Sequence, residues 1–203
     1  MPCSKDSFLA SLLRFSEKAG AEETARELHA KIGSLARIIE SGYPLLKGLS
    51  TESAALAVRL ATAVCGRVKS ERLAIGKKNS EERITDHLSG YFMGMPVECV
   101  YAVMLDEDER VIATELISEG TLGASEIVPR RILDAAGRHG AREIILSHNH
   151  PSGTPAASFA DASATAQVEK VLASAGMRLR AHYVVALGGV VDILRSCRSE
   201  RYI

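Results

Sequence analysis

The sequence has no tryptophan, and aromatic residues of every kind make up only 4% of its 203 residues. That scarcity argues against an aromatic platform on which the bases of a single-stranded nucleic acid could stack. Its four cysteines (Cys3, Cys65, Cys99 and Cys197) stand far apart and form no Cys-x-x-Cys pair. A disulfide framework and a cysteine zinc site are therefore not expected, and a reducing cytoplasm is the compartment that fits. Long apolar runs are missing as well. "YVVALGGVV" has the length of a strand, well short of the roughly 18 residues that a membrane span needs. "MPCSKDSFLASLLRFSEK" has neither the apolar stretch nor the cleavage site of a signal peptide, so no membrane partner is expected.

Net charge is also lacking, but the zero hides an asymmetry. Residues 1–80 hold 13 Lys and Arg against 8 Asp and Glu, whereas residues 81–203 hold 12 against 17. The front is basic and the back acidic, as in a chain with two different halves. The densest basic run, "RVKSERLAIGKK" from Arg67 to Lys78, is of the kind that usually forms a solvated helix end, and a DNA contact through the N-terminal half is the less favoured reading. With 46% hydrophobic and 25% charged residues, the composition is that of a folded protein of one ordinary or two small domains.

The front half has helical periodicity throughout. "DSFLASLLRFSEKAG" sets Phe8, Leu9, Leu12, Leu13 and Phe15 along one broad face and stops at Gly20. "AEETARELHAKIG" runs from acidic to basic and ends at Gly33, the order a helix dipole favours. "SLARIIESG" offers Ser34 as an N-cap. A short helix then leads through a turn at Lys47-Gly48-Leu49-Ser50 into an alanine-rich helix from about Thr51 to Gly66. After the glycines and charges of residues 66–80 comes a helix from Glu81 to about Phe92. From there the texture is mixed. "ECVYAVMLD" and "RVIATELIS" read as a hairpin, "PRRILDAAGRHG" as a helix, and "AREIILS" as a strand. "SFADASATAQVEKVLASAG" reads as a helix, while "RLRAHYVVALGG" and "VVDILRS" close with two strands. The expected organisation is an all-α domain over residues 1–78 and an α/β (α+β) domain over residues 79–203.

Chemistry concentrates in "SHNHPSGTPAASFAD", Ser147 to Asp161. His148 and His150, two apart at a strand end, point to the same side and can share one cation. Asp161 follows at the start of the next helix, where a rigid element can hold it. Two imidazoles and one carboxylate suit Zn²⁺ with a fourth position left for water. Ser158-Phe-Ala-Asp161 also reads as an ordinary helix N-terminal box, which needs no metal.

The pattern His-x-His-Pro, six residues, then Ser-x-x-Asp resembles the metal motif of the JAMM (MPN+) metallopeptidases at every spacing. "HNHPSG", with "EGTL" and "VPRRIL" upstream, resembles the RadC family within that superfamily, from about residue 90 to the end. Where that family usually has proline before the serine, Ala157 stands here. The resemblance implies an MPN/JAMM-like (cytidine-deaminase-like) mixed sheet flanked by helices. It also implies that the front is a shortened helix-hairpin-helix region. In that motif the turn reads Gly-hydrophobic-Gly and its amides hold DNA phosphate; here Gly48 and Leu49 match, but Ser50 replaces the second glycine, so a plain αα-hairpin packing into a small bundle is the preferred reading.

The JAMM resemblance further implies an upstream glutamate that orients the metal's water. Glu98, Glu115, Glu119, Glu126 and Glu143 are available. Glu98 is the carboxylate preferred, because it leads an apolar strand where an unpartnered charge is costly, and it matches the family position. Glu143 falls on the strand face opposite His148. The implied roles are ligation of zinc by His148, His150 and Asp161, proton transfer by Glu98, and donation to the oxyanion by Ser158. The implied reaction is hydrolysis of a peptide or isopeptide bond in an unknown protein or peptide substrate. The rival reading is a DNA-associated protein of this family with a vestigial or structural metal site. A metal-free MPN scaffold is disfavoured by the intact ligand set. Asn149 should face away from the metal, and His29, His87, His139 and His182 show no partner pattern.

Overall fold

The structure, a computed structural model, describes residues 5–17, 19–120, 127–151, 153–187 and 189–199. They divide into two compact units, one drawn from residues 1–68 and 93–95, the other from 69–92 and 96–203.

The first unit is helical: α1 (Lys5–Leu13), α2 (Ala21–Ile32), α3 (Leu35–Glu40), α4 (Tyr43–Leu49) and most of α5 (Glu52–Ser70). Leu9, Leu13, Leu28, Ile38, Leu46, Ala55 and Val58 make its core, each large side chain contributing about 1.5–3 kcal/mol by leaving water. Gly33 ends α2 at φ 105, and the Ser34 hydroxyl caps α3 by accepting from the Arg37 amide, both as expected.

Two expectations for this unit need correction. The apolar face of α1 is narrower than the sequence suggests: the helix stops at Leu13, leaving Phe15 93% exposed beyond its end and Phe8 54% exposed. Leu9 and Leu13, one turn apart, form the buried seam. The turn also comes later than expected. Lys47, Gly48 and Leu49 lie inside α4, and the break falls at Ser50, in extended backbone (φ −149, ψ −178). The Ser50 hydroxyl closes α4 by donating to the Leu46 carbonyl at 2.7 Å. The Thr51 hydroxyl opens α5 by accepting from the Ala54 amide at 3.2 Å. Gly48 and Leu49 therefore do not form a loop.

The second unit runs α6 (Glu81–Phe92), β1 (Cys99–Leu105), β2 (Val111–Glu119), α7 (Pro129–His139), β3 (Glu143–Asn149), α8 (Phe159–Ser174), β4 (Arg178–Ala186), β5 (Gly189–Asp192) and α9 (Ile193–Ser199). The strands form one mixed sheet in the order β2-β1-β3-β4-β5. β3 pairs antiparallel to β1 and parallel to β4, with α8 as the crossover between β3 and β4. On one face Val100, Ala102, Met104, Ile144 and Leu146 pack with residues of α7, α8 and α9. On the other, Tyr101 stacks on Tyr91 of α6 at 4.7 Å and meets Phe92 edge-on. Helices thus cover both faces, which is why β1 and β3 read as nearly continuous apolar runs.

The last expected strand is cut short. "VVDILRS" turns helical after Asp192, whose Oδ1 accepts from the amides of Leu194 (3.0 Å) and Arg195 (3.3 Å) and so caps α9. Cys65 and Cys99 are free thiols. Among the described residues no helix is long and apolar enough to cross a membrane.

Candidate metal centre

β3 carries His148 at its second-to-last position, beside Val100 of β1 and Val184 of β4. His150 follows just past the strand end, held by its amide on the Val185 carbonyl at 2.9 Å. Asp161 sits in the first turn of α8, where the expected Ser-x-x-Asp box forms in full. The Asp161 amide donates to Ser158 Oγ at 3.1 Å, and the Ser158 amide and hydroxyl each donate to Asp161 Oδ2 at 2.7 Å. The cap therefore fixes the carboxylate instead of competing with it for a role.

The structure brings Glu98, His148, His150 and Asp161 together, with one donor atom from each all lying within 4.8 Å of one another. The two imidazole Nε2 atoms stand 3.0 Å apart. Asp161 Oδ1 is 3.3 Å from His148 Nε2, and Oδ2 is 3.7 Å from His150 Nε2. Bonds of about 2.0–2.1 Å meeting at a tetrahedral angle put donor atoms roughly 3.3 Å apart, so these separations suit one shared small cation. Glu98 Oε1 lies 3.9 Å from His148 Nε2, beyond a hydrogen bond.

His150 Nδ1 faces the Thr154 carbonyl at 3.0 Å; a carbonyl only accepts, so Nδ1 carries the proton and a neutral ring leaves Nε2 bare. A longer chain governs His148. The Thr165 hydroxyl lies 2.6 Å from the Asp161 carbonyl and must donate there. Its oxygen then accepts from His182 Nδ1 at 2.7 Å. Burial pushes the His182 imidazole down to about 3, so it is neutral and its Nε2 is bare. That nitrogen accepts from His148 Nδ1 at 3.0 Å, which leaves the Nε2 of a neutral His148 bare as well. Two lone pairs 3.0 Å apart repel unless a cation or a proton sits between them.

Asp161 completes the set. Burial raises its carboxyl, but the His148 ring beside it and the hydroxyl and amide of Ser158 outweigh that and hold it well below the usual carboxylate range. Asp161 is therefore an anion at neutral pH, the state in which a carboxylate can hold a cation.

Glu98 has its own brace. Asn149 points to the opposite face, as strand alternation predicts, and its amide grips the backbone on both sides of Glu98. Oδ1 accepts from the Cys99 amide at 2.7 Å, and Nδ2 donates to the Val97 carbonyl at 3.0 Å. The other carboxylates lie elsewhere. Glu115 pairs with Arg138 and His139, and Glu143 pairs with Arg178 and Arg180. Glu119 ends β2, and Glu126 lies outside the described residues. His182 and Thr165 are the site residues that the sequence did not offer. Their contacts depend on the parallel register of β3 with β4, which no local pattern shows; the one available hint was a lone histidine inside the apolar run "RAHYVVA".

A sequence model of the RadC-like JAB domain matches residues 78–197. A UPF0758 protein of Chromobacterium violaceum is 32% identical over 185 residues, covering 89% of this chain and 82% of its own length. A UPF0758 protein of Janthinobacterium sp. is 33% identical over 169 residues, covering 81% and 75%. Another from Stenotrophomonas maltophilia is 33% identical over 176 residues, covering 85% and 75%. With its mixed sheet and a His, His, Asp and Glu cluster able to hold a metal, the chain belongs to the RadC-like JAB-domain family.

Proposed function

We propose that this protein is a zinc-dependent hydrolase of a peptide or isopeptide bond, with a protein or peptide as substrate. One observation carries the reading: the Nε2 atoms of His148 and His150 stand 3.0 Å apart, with the outer nitrogen of each ring hydrogen-bonded, and converge with an anionic carboxylate. Zinc suits this set of two nitrogens and one oxygen, held by His148, His150 and Asp161. When bound, the ion supplies Lewis acidity toward a water and a carbonyl.

The chain's own residues do the rest. Glu98, braced by Asn149, takes a proton from the attacking water and hands it to the leaving amine. The Ser158 hydroxyl is the donor for the tetrahedral oxygen. Its proton rests on Asp161 Oδ2, and the Ser158 amide keeps that oxygen bonded when the hydroxyl turns away.

The test pairs zinc analysis with turnover on peptide-linked and isopeptide-linked substrates. Glu98→Gln should keep zinc and lose turnover; a Glu98→Gln protein within a few-fold of the unaltered rate would contradict the assignment. A DNA-associated role is the second reading, favoured by the basic excess of residues 1–80. Four of its cations stand in ion pairs, Arg14 with Glu22, Arg26 with Glu23, Lys31 with Glu27 and Lys47 with Glu52, and these pairs leave the net excess unchanged. Salt-sensitive binding of the full chain to nicked DNA would support this second role, and no binding at low salt would remove it.

A further inference from the structure

We propose that His182 and Thr165 act as a tautomer lock on His148, holding its Nε2 bare so that it can ligate a metal. The inference rests on the metal reading above and goes past the ligand set to what governs it. Three bonds in series make the lock: the Thr165 hydroxyl to the Asp161 carbonyl, His182 Nδ1–H to Thr165 Oγ1, and His148 Nδ1–H to His182 Nε2. The carbonyl, which cannot donate, forces the first two directions; the wholly buried His182 ring, with its one proton on Nδ1, accepts at Nε2 and so sets the third.

The lock is dry. Thr165, His182 and His148 are all buried, so no bulk water stands ready to replace a lost partner. It is also anchored at both ends in the same site. It starts on the backbone of Asp161 and finishes on the ring of His148, so β3, β4 and α8 are joined through one line of polar contacts. The His182 amide adds a bond to Asp192 Oδ1 at 3.3 Å, fixing where the ring begins.

The consequence of a reversal defines the role. If His182 carried its proton on Nε2, it would donate to His148 Nδ1. A neutral His148 would then carry its proton on Nε2, the atom that faces His150 and Asp161. The ligand would be blocked with no change in any ligand residue. His182 and Thr165 are thus positioning residues, acting through His148.

Zinc affinity, measured by competition with a chelator, separates this from a packing role. A glutamine amide oxygen can reach where His182 Nε2 lies, whereas an asparagine amide can replace only Nδ1. His182→Gln should therefore stay within a few-fold of the unaltered protein, and His182→Asn should lose roughly 10- to 100-fold, the usual cost of a missing outer-shell partner. Thr165→Val, close in shape but without the hydroxyl, should fall with His182→Asn, while Thr165→Ser should hold. Equal affinities for His182→Gln and His182→Asn, or an unchanged Thr165→Val, would overturn the lock.

A second arm needs neither a variant nor zinc. Ring nitrogen correlations by NMR on the metal-free protein should find the proton of His182 on Nδ1, its Nε2 bare, and a proton on His148 Nδ1. A proton on His182 Nε2 would overturn the proposal. Should the unaltered protein bind no zinc, the metal reading falls, and this arm still decides the lock.

Discussion

Replacing Asn149 with alanine removes the brace around Glu98 without touching a donor atom of the cluster. The side chain is buried and makes two bonds, from the Cys99 amide at 2.7 Å and to the Val97 carbonyl at 3.0 Å. Cys99 is wholly buried, so its amide would be stranded; an unsatisfied buried donor costs about 1–3 kcal/mol, and a net hydrogen bond adds about 1. Val97 is half-buried, so its carbonyl can turn to water and costs less. The expected loss is about 2–3 kcal/mol, concentrated at the start of β1. Native-state hydrogen exchange reads it locally: the amides of β1 should exchange roughly 30- to 140-fold faster. Asn149→Asp keeps the acceptor for the Cys99 amide and should lose less there. Zinc content should not change in either variant, because Asn149 is not a ligand, whereas turnover should fall as Glu98 loses its fixed place. Protection of β1 within twofold of the unaltered protein would refute the reasoning.

Ser147 should be better replaced than kept. Its hydroxyl is buried between the registers of Tyr101 and Tyr183 and has no partner among the described residues. Ser147→Ala should stabilise by about 1 kcal/mol in urea unfolding; a loss of stability would mean that the hydroxyl is satisfied after all. His87 should weaken the fold in acid. Burial lowers its imidazole, with the Ser70 carbonyl acting against that, so the unfolded chain takes the proton first. Its stabilising contribution is complete above about pH 6.5 and declines as pH falls toward the lowered value, by up to about 1.4 kcal/mol per pH unit. His87→Gln should flatten that part of the stability profile between pH 7.5 and 5.5, and an unchanged slope would place the acid sensitivity elsewhere.

The cluster of His148, His150 and Asp161 was legible because each member sits on a local pattern. The two histidines share a strand face by period two, and Asp161 stands at a capping position that any helix start advertises. Most elements followed from periodicity and punctuation, such as α7 between Pro129 and Gly140. The misreadings came where a side chain captured the backbone. Asp192 turns the end of an expected strand into α9, and Ser50 with Thr51 sets the helix break later than the glycine at position 48 suggests. What stayed hidden was non-local. His182 is 34 residues from His148, and Asn149 is 50 from Cys99, so both contacts exist only once the strands are in register.

The central claim is that the two bare Nε2 atoms and Asp161 hold one zinc ion. Metal analysis of the purified protein, beside His148→Ala purified in the same way, tests it most directly. One zinc per chain is expected in the unaltered protein, with a marked loss in His148→Ala. Absence of stoichiometric zinc from the first, with His148→Ala matching it in metal content and stability, would contradict it.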